Sequence, residues 1–229
     1  AFGIKQPGNS TPAKTTDAAT FYQHLSFHPG FINPFENNRI SFYLAENCLY
    51  DSIRFRYHEI NANSDFPVFQ LHHTGVPLHC YFPVNIKAQT TYPDKMVMRR
   101  FAGKKNDYKK AYPVTHGKDT GWYRADFREF GNFQLMIDTI PPTISPIGFK
   151  AGMHTRKLKQ LVFGVRDNTE EIKSFTATLN GKWLRFTNDK ASRFIYVFDE
   201  MCPPGDHELK IIVEDQVRNT TEKKYRLIR

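Results

Sequence analysis

The stretch FREFGNFQLMIDTIPPTISPIGF, residues 127–149, decides the fold, because two alternating apolar runs flank a double proline. Phe133, Leu135 and Ile137 recur at every second position, the period that places side chains on one face of a β-strand. The two prolines donate no backbone hydrogen bond, so a single strand cannot continue through them. Proline also holds the preceding residue in extended geometry. The stretch therefore predicts a strand, a stiff joint over residues 140–142 and a second strand, with a domain on either side.

The length and the turn spacing predict two β domains. The 229 residues accommodate two domains of roughly 100 residues, each large enough to bury a core. Short alternating runs separated by turn residues lie on both sides of the joint, and no amphipathic helix of useful length is present. We therefore predict an all-β chain of two tandem β-sandwiches, the second immunoglobulin-like. The predicted boundaries are residues 1–20 for a linker or tail of a preceding domain, 21–140 for the first β-sandwich and 141–229 for the immunoglobulin-like sandwich.

Two local signals refine this prediction. Asn180-Gly181 lies between two alternating runs and predicts a tight hairpin, because both central residues of that turn require positive φ. Pro83 falls inside the run LHCYFPVNI and cannot donate to a sheet, so it predicts an edge strand or a bulged one.

The three cysteines, Cys48, Cys80 and Cys202, are far apart and form no C-x-x-C pair. Neither a disulfide framework nor a cysteine zinc site is indicated, and buried free thiols are the expected state. A bond between Cys48 and Cys80 remains open, since both fall in the first predicted domain.

The net charge of +9 raises the question of a polyanionic partner. The excess divides into +4 for residues 1–142 and +5 for residues 143–229, and there is no basic tail. The only concentrated stretch is the basic block, residues 95–110, for which a lysine-protected hairpin edge is favoured over a binding patch. We predict no nucleic-acid partner. No apolar run reaches the roughly 18 to 20 residues that a membrane helix needs, so we predict that the chain is not membrane-spanning.

The sequence contains no complete catalytic or metal-binding motif. Metallopeptidase, serine hydrolase and nucleotide-binding signatures are missing, and no cofactor is predicted. The densest histidine group is His72, His73 and His79, but adjacent strand residues point to opposite faces, so a shared metal is not favoured. Asp167-Asn168 and Glu214-Asp215 end apolar runs and could offer oxygen ligands to calcium, although turn capping is the commoner role of such residues.

Exposed aromatic and basic side chains could form a ligand surface. Aromatic rings stack on sugars, and the basic block could contact anionic polymers; core packing is the alternative role for the aromatic residues. The discriminating feature is whether Trp122 and Trp183 are exposed together. The candidate ligand surface comprises Trp122, Tyr123, Trp183, Arg99, Arg100, Lys104 and Lys105.

Five stretches, in order, carry a family resemblance: RISFYLAENCLYDSIRFRYHEI, PLHCYFPVNI, FGNFQLMIDTIPPTISPIGF, VRDNTEEIKSFTATLNGKWLRF and LKIIVEDQVRN. The series resembles the C-terminal, non-catalytic region of Gram-negative envelope proteins of the lysostaphin-type zinc metallopeptidase family, which are peptidoglycan hydrolases. It covers nearly all of residues 21–229. In such proteins a D-T-x-P-P motif, here residues 138–142, marks the start of an immunoglobulin-like domain. Two departures are Asn47-Cys48, where a Gly-Ala pair is common, and Arg218, where glycine is usual.

The resemblance implies an accessory role. The H-x-x-x-D and H-x-H elements that bind zinc in the family are absent from the sequence, so no catalytic residue is carried over. We therefore expect a non-catalytic region of an exported, cell-envelope protein that positions a peptidase domain on the same longer polypeptide near peptidoglycan or another envelope polymer. The alternatives are a free-standing envelope module that binds glycan or protein ligands, and a hydrolase with a site around His72, His73 and His79.

Overall fold

The computed structural model describes residues 23–116, 119–150, 152, 154–169, 171–189 and 192–229. Within these ranges the chain forms β-strands, one short 3₁₀ turn at Pro93–Lys95 and no α-helix. All strand pairs are antiparallel and build four sheets. The predicted all-β sandwich class is confirmed. The described ranges contain no helix with the length and apolarity needed to cross a membrane. The predicted linker, residues 1–20, lies outside the described residues.

The first sandwich pairs a six-stranded sheet with a five-stranded sheet. In spatial order, the six-stranded sheet contains β1 (Gln23–Phe27), β4 (Ile53–Ile60), β5 (Val68–Leu71), β11 (Gly131–Ile137), β7 (Met96–Ala102) and β8 (Lys105–Lys110). The five-stranded sheet contains β2 (Asn33–Glu36), β3 (Ile40–Leu44), β6 (Pro77–Lys87), β10 (Asp119–Glu129) and β9 (Tyr112–His116). The basic block forms the β7–β8 hairpin, and β8 is an edge strand, as predicted.

The core of the first sandwich is rich in phenylalanine. Phe42 of the five-stranded sheet lies 5.3 Å from Phe55 of the six-stranded sheet, measured between ring centroids. Phe82 and Phe133 meet across the same interface at 6.3 Å. Both members of each pair are buried. Alternation along the strands therefore places one aromatic face of each sheet in a shared apolar core.

Pro83 occupies an interior strand, so the predicted edge position is wrong. Strand β6 lies between β3 and β10, but its pairing with β3 ends at Val84. Pro83 therefore lacks a ladder partner on the β3 side, where its missing N–H costs nothing. The other predicted alternative, a bulged strand, is met in β6 itself, where five residue steps from Pro77 to Phe82 lie opposite two steps of β10 from Phe127 to Glu129.

The second sandwich pairs two four-stranded sheets and is immunoglobulin-like, as predicted. One sheet contains β12 (Thr143–Ile147), β13 (Gln160–Arg166), β17 (Arg193–Val197) and β16 (Thr187–Asp189). The other contains β15 (Lys182–Trp183), β14 (Ile172–Leu179), β18 (Asp206–Asp215) and β19 (Thr220–Ile228). Phe163 of the first sheet packs 5.0 Å from Tyr225 of the second. Asn180 and Gly181 have φ of 48° and 81°, which confirms the predicted β14–β15 hairpin.

The cysteines divide into one bonded pair and one free thiol. Cys48 and Cys80 form a disulfide, with their Cα atoms 4.9 Å apart, so the expectation of free thiols is wrong for these two residues. Cys48 lies in the turn after β3 and Cys80 in β6, where the N–H of His79 donates to the Cys48 carbonyl at 2.9 Å. This backbone contact brings the two side chains together. Cys202 is free and buried, as predicted.

Candidate functional site

The joint between the sandwiches is centred on Asp138, the residue after β11. Its side chain is buried, and Oδ1 accepts hydrogen bonds from the Ile140 N–H and from the Asn168 amide, both at 3.1 Å. Its Oδ2 accepts from the Thr169 hydroxyl at 3.3 Å, and its carbonyl accepts from the Asn219 amide at 3.0 Å. One carboxylate thus orders the proline joint and also contacts two loops of the second sandwich.

The turn between β18 and β19 forms the other half of the joint. The buried Asp215 carboxylate accepts hydrogen bonds from the backbone N–H groups of Val217 and Asn219 at 2.9 and 2.8 Å. Lys95 of the first sandwich donates to the Val217 carbonyl at 2.9 Å and to Asn219 Oδ1 at 2.7 Å. Arg218 adopts φ of 65°, the left-handed region that favours glycine. The turn therefore keeps a glycine-type backbone although the sequence supplies arginine.

Asp167 completes an acidic trio with Asp138 and Asp215, whose carboxylate oxygens lie within 4.8 Å of one another. Burial raises the pKa of Asp215, hydrogen bonds to Asn219 and Val217 oppose this shift, and the charge of Asp138 adds to it. Thr169 donates to Asp167 Oδ2 through its N–H and its hydroxyl, at 2.8 and 2.6 Å. Most carboxylate oxygens of the trio thus accept hydrogen bonds. These bonds offset part of the cost of placing three acidic side chains close together at the joint.

The calcium prediction is met only in part by this geometry. Asp167 and Asp215 do come together, and the buried Oδ1 of Asp167 accepts no hydrogen bond in the described structure. Glu214, in contrast, accepts a hydrogen bond from Lys173 at 2.7 Å, and Asn168 uses its amide to donate. Carboxylate oxygens are suitable calcium ligands, and calcium binding here stays a prediction.

A groove of about 800 Å³ lies between the sandwiches on the outer side of the five-stranded sheet. The first sandwich contributes an aromatic and basic wall, and the second contributes the start of β14 and the β18–β19 turn. Five cations and two carboxylates line it, so the lining carries a positive excess. The principal lining residues are Tyr81, Lys109, Lys110, Tyr112, Arg124, Asp126, Glu171, Lys173, Gln216 and Arg218.

The aromatic residues predicted as a ligand surface are not brought together at the surface. Trp122 and Tyr123 lie on β10 and are 3% and 4% exposed, whereas Trp183 on β15 is 65% exposed. The Lys87 ammonium lies 5.7 Å from the Trp122 ring centroid and covers it. Trp183 borders a separate small concavity of the second sandwich, next to Met201 and His207. The structure therefore contains no flat surface formed by both tryptophans.

The predicted basic residues divide by burial. Arg100 is 1% exposed, and its Nε donates to the carbonyls of Glu129 and Phe130 at 3.1 and 3.0 Å. Its guanidinium also pairs with the Glu129 carboxylate, which accepts from Lys105 at 2.9 Å. The Lys105 hydrogen bond and the two cations lower the pKa of Glu129. Arg100 therefore has a structural role and is inaccessible to a ligand.

The remaining basic residues of the candidate surface stay nearer to solvent. Arg99 donates twice to Asn106, at 2.9 and 2.7 Å, and its guanidinium lies 4.4 Å from the Phe101 ring centroid. Lys104 is exposed at the tip of the hairpin. None of the predicted surface residues lines the groove between the sandwiches. Of the basic block, only Lys109 and Lys110 line it.

The histidine group does not form a three-ligand cluster in the described part of the chain. His72 and His73 pack with ring centroids 4.4 Å apart, but the His79 Nδ1 is 2.9 Å from the Tyr50 hydroxyl. His72 is buried against Phe55 and Phe130, and burial lowers its pKa to about 4. The positive charges of His73 and Arg56 act in the same direction. This environment keeps His72 neutral as part of the core.

Comparison with known proteins finds similarity to a named domain family. The profile of the Zu5-like domain matches residues 26–138, the first sandwich up to the joint residue Asp138. No curated protein sequence matches the chain. The family match therefore concerns the first sandwich alone.

Two solved structures are similar at low scores. The endo-beta-1,4-mannanase from Thermotoga petrophila is 19% identical with a TM-score of 0.34, over 40% of this chain and 20% of the mannanase. The chain thus spans about a fifth of the length of that structure. The fibronectin(III)-like modules of CbhA from Clostridium thermocellum are 11% identical with a TM-score of 0.32, over 65% of this chain and 84% of that chain.

Proposed function

We propose that this chain is a non-catalytic accessory region of an exported, cell-wall metallopeptidase-like protein. It positions a peptidase domain, carried on the same longer polypeptide, near peptidoglycan or another envelope polymer. The resemblance to envelope proteins of the lysostaphin-type family supports this role, as does the all-β fold without an inherited zinc motif.

The observation that carries the proposal is the hydrogen-bonded joint. Buried side chains of both sandwiches meet there, with the Asp138 carbonyl bonded to Asn219 and Lys95 bonded to the same asparagine. Hydrogen bonds that involve a charged group contribute roughly 1.5–3 kcal/mol each when they are shielded from water. A linker held in this way sets the distance and angle between its domains, which is what a spacer requires.

The disulfide supports the localisation part of the proposal. Cys48 and Cys80 are bonded, and disulfides persist in oxidising compartments such as the periplasm and the cell surface. A cell-envelope or secreted location is therefore proposed together with the accessory role.

The first experiment measures the mass of the native polypeptide. Antibody raised against this chain is used to blot cell-envelope and cytosolic extracts of the source organism, and the detected band is identified by peptide mass spectrometry. We expect a band in the envelope fraction well above 26.7 kDa, with peptides from a peptidase domain. A band near 26.7 kDa, or a longer polypeptide without such a domain, contradicts the accessory role.

A second measurement tests the absence of catalysis. The isolated chain is incubated with purified peptidoglycan, with and without added zinc, and released fragments are quantified. We expect no release above the rate of a heat-denatured control. Zinc-dependent release of peptidoglycan fragments by this chain alone would refute the proposal and support the hydrolase alternative.

The free-standing binding module remains the second candidate. The groove between the sandwiches favours it, because exposed tyrosines and cations line one continuous concavity. The pair Trp122 and Trp183 no longer supports it, since Trp122 is buried. The native mass separates the two candidates, because a module that works alone migrates near 26.7 kDa.

A further inference from the structure

The groove between the sandwiches has an aromatic wall on the outer face of the five-stranded sheet. Tyr112 of β9 lies directly opposite Arg124 of β10, so their side chains are neighbours. Tyr81 of β6 lies on the same outer face, because it alternates with the buried Phe82. Tyr81 and Tyr112 are 67% and 59% exposed. The sheet therefore presents two tyrosine rings to solvent within one groove.

The separation of these rings indicates an extended ligand. Strand β10 lies between β6 and β9, and Tyr81 is four residues along β6 from Asn85, the residue level with Arg124. Two strand spacings and four residue rises place the Cα atoms of Tyr81 and Tyr112 roughly 16 Å apart. Side chains on one face of a sheet extend roughly parallel to one another, so a ligand that stacks on both tyrosines contains several linked sugar rings.

The opposite wall adds cations from the second sandwich. Lys173 is the second residue of β14 and donates to Glu214 at 2.7 Å. Arg218 lies in the β18–β19 turn and is exposed. The two walls are joined where the Lys110 N–H donates to Gln216 Oε1 at 2.7 Å. This contact fixes the two walls relative to each other.

The charges of the groove leave two cations for a ligand. Arg124 pairs with Asp126 at 3.1 Å, and Lys109 lies 3.6 Å from Glu171. Neither Lys110 nor Arg218 forms an ion pair with a residue in the described ranges. The Lys110 ammonium instead lies 5.3 Å from the Tyr112 ring centroid.

Glu214 is a carboxylate that feels the charges of both cations. A hydrogen bond from Lys173 is the main cause of its lowered pKa, and the charges of Arg218 and Lys110 contribute less. Glu214 is thus already satisfied by Lys173. One cation on each wall stays available to a ligand carboxylate.

We propose that this groove binds an acidic polysaccharide, a chain of sugar rings that carry carboxylates. The tyrosine rings stack on the apolar faces of successive sugars, and Lys110 and Arg218 bind carboxylates from opposite walls. Asp126 and Glu171 accept hydrogen bonds from sugar hydroxyls. A nucleic acid fits less well, because its closely spaced phosphates would meet those two carboxylates. The inference concerns this chain by itself and does not depend on a peptidase domain.

The test uses fluorescently labelled oligogalacturonate, long enough to span both tyrosines, and measures its dissociation constant by fluorescence anisotropy at low salt. Labelled poly-dT and a neutral cello-oligosaccharide serve as comparison ligands. The groove variant is Lys110→Gln with Arg218→Gly. The matched control is Lys104→Gln with Lys105→Gln, which removes the same number of positive charges outside the groove. A second groove variant, Tyr81→Ser with Tyr112→Ser, removes the stacking surface, and Trp183→Ser is its control.

The expected result is selective loss of binding in the groove variants. Loss of two charge-assisted contacts weakens oligogalacturonate binding about tenfold in the charge variant, whereas the matched control changes it less than about twofold. The tyrosine variant weakens binding as well, and Trp183→Ser does not. Thermal melting of each variant tests whether it is folded. Glycine is used at position 218 because it adopts the positive φ of this residue without strain.

Three results overturn the inference. Equal weakening in the charge variant and its control would show that only net charge matters. Tighter binding of poly-dT with the same dependence on the groove residues would identify a nucleic-acid site. Absence of oligogalacturonate binding by the unmodified chain at low salt would exclude the proposed ligand class. Each of these results is independent of the native mass that tests the accessory role.

Discussion

The protonation of His72 should limit the stability of the first sandwich in acid. His72 has a positive φ of 52°, and its buried Nδ1 has no hydrogen-bond partner in the described structure. Burial lowers its pKa from 6.5 to about 4. The folded state therefore binds this proton less readily than the unfolded state, so the contribution of neutral His72 is complete above pH 6.5 and shrinks as the pH falls toward 4.

The size of the effect follows from the two pKa values. At pH 5 most unfolded chains are protonated at this residue while most folded chains are not, which lowers the free energy of unfolding by about 2 kcal/mol relative to pH 8. The variant His72→Asn removes the titrating group, and asparagine tolerates the left-handed backbone. Its free energy of unfolding should be lower at pH 8, because a ring is lost from the core. Between pH 8 and pH 5, however, it should not lose the further free energy of unfolding that protonation of His72 causes in the parent.

The assay is urea unfolding at pH 8 and pH 5, followed by tryptophan fluorescence. A Trp183→Phe background leaves the buried Trp122 as the sole tryptophan, so the signal reports on the first sandwich. His28→Gln is the matched control, since His28 is an exposed histidine of the same sandwich. The reasoning is refuted when His72→Asn loses as much stability between pH 8 and pH 5 as its parent. It is also refuted when His28→Gln removes the same pH dependence.

Three further predictions concern stability. Replacing Cys48 and Cys80 by alanine removes a cross-link across 32 residues. In the chain-entropy model this lowers the free energy of unfolding by roughly 3–4 kcal/mol. Urea unfolding under non-reducing conditions measures the change, and an unchanged free energy of unfolding would show that the bond does not form. Arg100→Met leaves the buried Phe130 carbonyl and the partly buried Glu129 carbonyl without this donor and should cost about 2 kcal/mol. Glu129→Gln, at a more exposed residue, should cost less, and equal losses in urea midpoints contradict the assigned role. Arg218→Gly relieves the left-handed backbone and should stabilise the second sandwich by about 1 kcal/mol, seen as a raised melting temperature; a lowered one contradicts this account.

The fold was predictable from the sequence because its signals are local. Alternation at Phe133 and Leu135 indicates which face of the strand is buried. The Asn180-Gly181 pair indicates a tight turn, because few residue types adopt the positive φ that this turn requires. The double proline likewise interrupts a sheet wherever it stands. Such signals need no knowledge of distant contacts.

The site was less predictable because it depends on distant contacts. The amide of Asn219 bonds to the carbonyl of Asp138, and nothing in the spacing of these residues indicates the contact. The disulfide is similar, since backbone pairing next to His79 brings Cys48 and Cys80 together.

Exposure was also undecidable from the sequence. Trp122 is covered by its neighbours whereas Trp183 is not, although both lie in alternating strands. The groove could be found only in part: Lys109 and Lys110 belong to the basic block, but Lys173 and Arg218 reach them through the arrangement of two sandwiches.

The joint has a consequence for how the chain can be divided. Asp138 and Lys95 belong by sequence to the first sandwich, yet their hydrogen-bond partners Asn168, Thr169 and Asn219 belong to the second. Cutting between the sandwiches would leave a buried carboxylate and an ammonium without these partners. The portable unit for exchange between proteins is therefore the pair of sandwiches, and a chimaera that replaces one of them must also supply the matching half of the joint.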